Sequence, residues 1–378
     1  MIVMKFVCSS CGKTYDDASL KWMCSCGGCL SCDFKTQFRK EDIRQDRHNM
    51  WRYEGAFPLR YDELTVTYNE GLTPLIDVRF SKCRLKVKMD SLMPTGSFKD
   101  RGTVMVINHL MKHGATKITE DSSGNAGASV AGYCALGNIP CEIYVPKGNS
   151  AGKLTQIRAY GAAIHEIEGT REDVAAAAQV HSSSYAGHNW HPMFVQGTKS
   201  LAYELWEQSG FQSPENIVAV AGNGSTVLGI YYGFKELLGN GQVSKMPRIF
   251  AVQSENCNPI YRRYAGIHQD GGFTGTIAEG IALAKPNKAD QVVTAVLETG
   301  GQVLCVSEEE IRQAIPAVAG LGVYAEPTSC AAFAGIRKLV DRNILGKENN
   351  VIMVVSGNGL KAGPEIEELT KENREEKK

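Results

Sequence analysis

The chain has 378 residues, room for two domains and a small appendage. Hydrophobic residues make up 43% and charged residues 22%, an ordinary globular composition. Basic and acidic residues balance at 41 each, so net charge gives no basis for nucleic acid or an anionic membrane as the main partner. No 18-residue apolar run is present and Met1–Val7 lacks a signal-peptide layout, so a cytoplasmic protein with no membrane span is expected.

Six of the 12 cysteines crowd into residues 8–32. Cys8-x-x-Cys11 and Cys24-x-Cys26 can each present two thiolates through a tight turn, helped by Gly12, Gly27 and Gly28. Four thiolates make a closed tetrahedral zinc site, which stabilises a segment too short to bury a core. Cys29 and Cys32 have ligand spacing too, but Gly27-Gly28 closes the second knuckle when Cys8, Cys11, Cys24 and Cys26 are the ligands. A redox dithiol and a metal-free ribbon stay open. A catalytic metal is disfavoured, since no His or carboxylate accompanies the four sulfurs. The other cysteines are scattered singly, as suits buried thiols in a reducing compartment.

Residues 38–54 are polar, with Trp51 and Tyr53 among them, and are expected to run over the surface. Glu70-Gly71-Leu72-Thr73-Pro74 is a turn, and Leu75–Val78 a strand. Cys83–Met89 is strand-like, and Pro94 and Gly96 break the chain after it. A helix follows, with Ser97 as expected N-cap and Val104, Ile107, Leu110 and Met111 toward a core. Lys99 falls at its start. The positive end of a helix disfavours a cation, so this ammonium loses its proton more readily. An amine that is neutral part of the time can form a Schiff base with a carbonyl. A solvated surface lysine is the other reading.

Strands and helices then alternate. Strands are expected at 115–119, 141–146 and 162–167, with helices after Ser129, over 150–160 and over 171–181. Ser122-Ser123-Gly124-Asn125-Ala126-Gly127 lies where a strand ends and a helix begins, the edge at which open α/β sheets bind ligands. Asn216–Ala221 is a strand running into Gly222-Asn223-Gly224-Ser225-Thr226 and a helix. That loop is a phosphate cradle in physics, yet it fits neither the dinucleotide nor the P-loop pattern. Further strands are expected at 248–253, 303–306 and 351–355, and helices after Ser307 and Pro327. Residues 268–302 read as loops with one or two short helices, and 371–378 as a solvated or frayed tail. Ser356 stands where the last strand meets the ligand edge.

Pro94-Thr95-Gly96-Ser97-Phe98-Lys99-Asp100-Arg101-Gly102 resembles the lysine motif of threonine synthases and related pyridoxal-phosphate enzymes of the second fold type. The resemblance extends, in order, to residues 70–75, 122–129, 222–226, 326–329 and 356–361, and to the Cys8–Gly28 leader. It implies an α/β fold of two three-layer αβα domains with mostly parallel sheets and the cofactor in the cleft between them, plus the N-terminal zinc-ribbon-like segment. The expected parts are 1–35 for the knuckle, 36–80 with 201–370 for the large cofactor domain, and 81–200 for the small one.

By the same resemblance, Lys99 holds pyridoxal 5'-phosphate covalently and then shuttles protons. Asn125 bonds the cofactor's 3'-oxygen, Gly222, Asn223, Gly224, Ser225 and Thr226 bind its phosphate, and Ser356 meets the pyridine nitrogen. Thr95, Ser122 and Ser123 take the substrate carboxylate. The implied reaction makes L-threonine and phosphate from O-phospho-L-homoserine and water, in a homodimer. Met93 stands where the family usually has Asn, and Gly280-Ile281-Ala282-Leu283-Ala284-Lys285-Pro286 replaces a stretch that usually carries an arginine. The missing arginine bears on the substrate, not the cofactor. The alternatives are a β-replacing or deaminating enzyme acting on O-phosphoserine, serine or threonine, and a zinc-ribbon interaction protein on an inactive fold. Intact Lys99 argues against the last.

Overall fold

The computed structural model describes residues 4–148, 151–180, 184–268 and 271–375. Three short strands come first: β1 (Lys5–Cys8), β2 (Thr14–Asp16) and β3 (Leu30–Asp33). They form one antiparallel sheet in the order β2-β1-β3. Residues 36–72 contain 3-10 turns at Lys40–Asp42, Met50–Ala56 and Tyr61–Glu63. The expected surface run is present at residues 39–48, which are mostly exposed, but the stretch after it is a buried plug: Met50, Trp51, Arg52, Tyr53 and Ala56 are all buried. Its anchor is Glu70, whose carboxylate accepts from Trp51 Nε1 at 2.7 Å, the Tyr68 amide at 3.0 Å and the Tyr133 hydroxyl at 2.6 Å.

The chain continues through β4 (Leu75–Val78), β5 (Arg84–Lys88), α1 (Lys99–Lys112), β6 (Ile118–Glu120), α2 (Asn125–Leu136), β7 (Cys141–Pro146), α3 (Ala151–Ala159), β8 (Ala163–Ile167) and α4 (Arg171–Val180). Next come α5 (Met193–Thr198), α6 (Ser200–Gln208), β9 (Asn216–Val220), α7 (Ser225–Gly239), β10 (Arg248–Ser254), α8 (Pro259–Tyr264), α9 (Ala289–Glu298) and β11 (Gln302–Val306). Last are α10 (Glu308–Gly320), α11 (Pro327–Asp341), β12 (Asn350–Val354) and α12 (Gly363–Glu375). The expected strand–helix alternation is present. Ser307 caps α10 by a reciprocal box with Glu310, at 3.1 and 2.7 Å. The expected tail differs: residues 371–375 continue α12, and 376–378 lie outside the described residues.

The chain divides into two compact units. The first gathers residues up to Leu72, Met93–Thr95 and Lys99–Ser200; the second gathers Thr73–Leu92, Gly96–Phe98 and residues from Leu201 onward. Residues 36–72, expected with the large domain, group with the first unit, because Glu70 and Tyr68 bond Tyr133 and Gly132 of α2. The strand at residue 84, expected to open the small domain, joins the second unit's sheet.

The first unit holds the parallel sheet β6-β7-β8. Its helices α1 and α5 approach closely. A Cβ on Gly102 would meet the Phe194 ring at 2.6 Å, and one on Gly197 would meet the Arg101 carbonyl at 1.8 Å. The second unit holds a six-stranded sheet, β11-β10-β9-β12-β5-β4, parallel except for β4. Every residue of β9 is buried, as a central parallel strand covered on both faces requires. No helix among the described residues is long and apolar enough to cross a membrane.

One ionic contact lies wholly inside the second unit. Lys88, at the end of β5, donates to Glu204 Oε2 at 2.6 Å, to the Thr73 carbonyl at 2.7 Å and to Gln208 Oε1 at 2.9 Å. Three acceptors match the three ammonium hydrogens, and both charged side chains are fully buried. Lys88→Met leaves Glu204 charged and unpaired, at a cost of about 3–5 kcal/mol. Denaturant titration is expected to show that loss, with most of it recovered in Lys88→Met/Glu204→Leu.

Candidate active site

In the first unit, Lys99 is the first residue of α1 and partly exposed. The expected cap is absent: Ser97 does not close the helix. Residues 97 and 98 run extended beside the end of β12, with Ser97 bridged to Gly357 and the Phe98 amide on the Ser356 carbonyl at 2.9 Å. The N-terminal turn is held instead by Asp100. Its carboxylate accepts from the Thr95 amide at 2.7 Å, the Thr95 hydroxyl at 2.6 Å and the Ser129 hydroxyl at 2.6 Å. Burial pushes the Asp100 carboxyl up to about 6, against these three hydrogen bonds. Thr95, expected on the substrate carboxylate, thus donates its hydroxyl hydrogen to Asp100 and is only 2% exposed.

The Lys99 ammonium lies 5.7 Å from the centre of the Phe194 ring. Its charge also acts on Glu120, the last residue of β6. Glu120 is buried and paired with His188 Nδ1 at 2.8 Å. Burial first, then the neighbouring Asp121, raises the Glu120 carboxyl well above the ordinary range. Sequence reading singles out neither Glu120 nor His188. No motif marks them, and only the fold brings residue 188 to residue 120.

The loop 122–124 folds against the start of α2. Ser122 is buried, Ser123 and Asn125 partly so. A Cβ on Gly127 would strike the Ser122 carbonyl oxygen at 1.9 Å, so only glycine allows this turn. The helix begins at Asn125 itself, earlier than expected, and Gly124 precedes it. Amides of its first turn have no partner within the helix and aim off its end.

In the second unit, β9 ends at Val220 and α7 begins at Ser225. Gly224 is left-handed at φ +88°, and a Cβ there would meet Val292 at 2.1 Å. A Cβ on Gly222 would meet the Gly280 carbonyl at 3.0 Å. Glycine is therefore forced at 224, and position 222 is tight. Asn223, Ser225 and Thr226 are all at most 7% exposed. Backbone amides, two hydroxyls and the positive end of a 15-residue helix make a donor set suited to a phosphate dianion.

Ser356 follows β12 and is 3% exposed. Ser329, near the start of α11, accepts from the amides of Ser356 and Gly357, both at 3.0 Å. Its oxygen then has no lone pair left, so its own hydrogen points to Ser356 Oγ, 3.0 Å away, in preference to the Gly357 carbonyl at 3.4 Å. This leaves the Ser356 hydroxyl hydrogen to donate elsewhere. Ser97 Oγ is fully buried and has no hydrogen-bond partner among the described residues. A phosphate cradle and a hydroxyl able to donate to a ring nitrogen fit a phosphorylated heteroaromatic cofactor.

Residues 279–281 form a 3-10 turn in which the Gly280 amide donates to Thr328 Oγ1 at 3.0 Å and Ile281 is buried. Ala282 follows, where the resembled family carries arginine.

The sulfurs of Cys8, Cys11, Cys24 and Cys26 all lie within 4.8 Å of one another. Cys8–Cys26 and Cys11–Cys24 are each 3.6 Å apart, and Cys11–Cys26 3.5 Å. Gly28 is required there, since a Cβ would meet Cys8 Sγ at 2.8 Å. Cys29 and Cys32 do not join this group.

Residues 66–357 match the family described as pyridoxal-phosphate dependent enzymes. The chain is 29% identical to a threonine synthase of Methanocaldococcus jannaschii, covering 94% of this chain and 92% of that one. It is 30% identical to a threonine synthase of Methanosarcina acetivorans, covering 94% and 91%. Its fold is similar to that of a fungal L-serine ammonia-lyase from Rhizomucor miehei, with a TM-score of 0.69 at 20% identity over 79% of this chain and 97% of that one. Lys99, the cradle at 222–226 and the paired serines at 329 and 356 all fall within the matched span, and the chain belongs to the threonine synthase family of pyridoxal-phosphate dependent enzymes.

Proposed function

We propose that this protein is a lyase that converts O-phospho-L-homoserine and water to L-threonine and phosphate. The observation that carries the reading is the end of β12, where Ser329 uses both lone pairs on backbone amides and leaves Ser356 a hydrogen to donate. A neutral donor there supports a ring nitrogen without a proton, in contrast to a carboxylate partner. The name of the two relatives, threonine synthase, supplies the product; O-phospho-L-homoserine follows from the resemblance of the Pro94–Gly102 motif.

Pyridoxal phosphate, when bound, supplies the electron withdrawal that makes protons beside the substrate's amino carbon removable. The chain's residues do the rest. Lys99 Nζ attaches the cofactor and, when free, accepts and returns the proton at the substrate's Cα. The aromatic face of Phe194 covers one side of that amine. Gly222, Asn223, Gly224, Ser225 and Thr226 hold the cofactor phosphate, and Asn125 its 3'-oxygen. Ser122, Ser123 and the α2 amides receive the substrate carboxylate. Thr95 acts one step back, holding Asp100 and with it the start of α1.

A second reading, deamination or β-replacement on serine, threonine or O-phosphoserine, is favoured by Ala282, which leaves the 279–286 turn without a guanidinium for a distal phosphate.

We also read Cys8, Cys11, Cys24 and Cys26 as a closed structural zinc site. Their separations approach the edge of about 3.8 Å expected for a tetrahedron with zinc–sulfur bonds of about 2.3 Å.

Three outcomes are expected. Borohydride reduction followed by mass spectrometry places the cofactor on Lys99, and Lys99→Ala abolishes the adduct and lowers kcat/KM by at least ~10²–10⁴. Phosphate release with threonine formation is fastest from O-phosphohomoserine; faster turnover of O-phosphoserine, serine or threonine selects the second reading. Metal analysis shows one fewer zinc per chain in Cys24→Ser/Cys26→Ser than in the native protein; equal zinc rules out this ligand set.

A further inference from the structure

Helix α1 starts with Lys99 and carries His109 in its last turn, and His113 stands just past its last residue, four positions on. Residues at that spacing share one face of a helix, and the His113 amide still bonds the His109 carbonyl at 3.3 Å. Asp17 reaches the same point from the 3-10 turn Asp17–Ser19 that follows β2. One ligand atom from each of Asp17, His109 and His113 lies within 4.8 Å of the other two. His113 Nε2 and Asp17 Oδ2 are 3.4 Å apart. A tetrahedral ion with bonds of about 2.0–2.1 Å needs ligand separations of about 3.3–3.4 Å.

His109 is the unusual member. It is 0% exposed, and neither ring nitrogen has a hydrogen-bond partner among the described residues. The backbone of Asp17 approaches the ring without meeting hydrogen-bond geometry. The His113 Nε2 atom is likewise without a hydrogen bond. Buried polar side-chain atoms are nearly always partnered, so two orphaned nitrogens on one ring require a reason. Packing does not supply it. The ring sits 5.4 Å from Phe6, 4.8 Å from His113 and 5.3 Å from His191, contacts that a phenyl group would make without burying polar atoms.

We propose that Asp17, His109 and His113 bind a divalent cation of the zinc class, separate from the four cysteines. Two imidazoles and one carboxylate suit Zn²⁺ or Co²⁺ and not the oxygen-seeking Mg²⁺ or Ca²⁺. The C-terminal end of a 14-residue helix carries partial negative charge and favours a cation. Lys112, the basic residue of the same turn, is turned to Glu63 at 2.8 Å. Three protein ligands leave a fourth position for water. The ion fastens the N-terminal sheet to the far end of the helix that begins with Lys99.

The test uses the full-length chain, stripped of metal and titrated with Co²⁺. Equilibrium dialysis reads total bound metal, and the sulfur-to-cobalt charge-transfer band reads the cysteine site alone. The native protein is expected to hold one cobalt per chain more than His113→Ala or Asp17→Ala, with the same charge-transfer amplitude in all three. His109→Phe, which keeps the ring packing, is expected to lose the same equivalent with its circular dichroism unchanged. Equal stoichiometry in the native protein and the variants overturns the proposal. So does a loss of cobalt that tracks the charge-transfer band, which assigns the metal to the cysteines.

Discussion

A carboxylate with no solvent fixes where the lysine helix begins. Asp100 accepts three hydrogen bonds from Thr95 and Ser129, so the segment before α1, the first turn of α1 and the middle of α2 share one acceptor group. Removing any donor leaves part of a buried charge uncompensated, which is costly in a low-dielectric interior. The next residue back is Lys99. Its amine is therefore positioned by a neighbour that never needs to touch substrate. Gly102 and Gly197 complete the constraint from the other side, since their missing side chains let α5 bring Phe194 up to the same turn.

The second unit solves its problem with strand direction. In a parallel sheet the carboxyl ends of the strands lie on one edge, and chain reversals there carry the functional groups. The turn after β9 and the turn after β12 obey this rule. Steric demand acts at each turn to a different degree: Gly224 is left-handed and closed over by Val292, whereas the carboxylate of Glu326 occupies the place of a Cβ on Gly357 at 2.2 Å and can swing aside. Small residues here answer to packing as much as to ligand.

What can be read from the sequence follows from locality. Strand–helix alternation, the capping box at Ser307 and the cysteine knuckle are patterns of a few residues, and each is legible. The N-cap at Ser97 is misread because a bridge to Gly357, far along the chain, holds the segment extended. Trp51 and Tyr53 look solvated in sequence because their neighbours are charged; Trp51 is instead bonded to Glu70, which Tyr133 also holds, and Tyr53 packs edge-on against Phe38, contacts no local window contains. Glu120 with His188, and Ser329 beneath Ser356, escape sequence reading for the same reason. The histidines at 109 and 113 show helical spacing, but their significance depends on Asp17, from a distant part of the chain.

The serine pair formed by the start of α11 and the end of β12 has a further meaning. Hydroxyl groups are ambivalent, and either partner of an isolated pair can donate. Ser329 removes that freedom by saturating its own oxygen with two backbone amides. The result is a one-way proton polarity running from main chain to Ser329 to Ser356. The donor role of Ser356 is thus written by two main-chain amides acting through one hydroxyl, and it depends on Ser329 with no charged group involved.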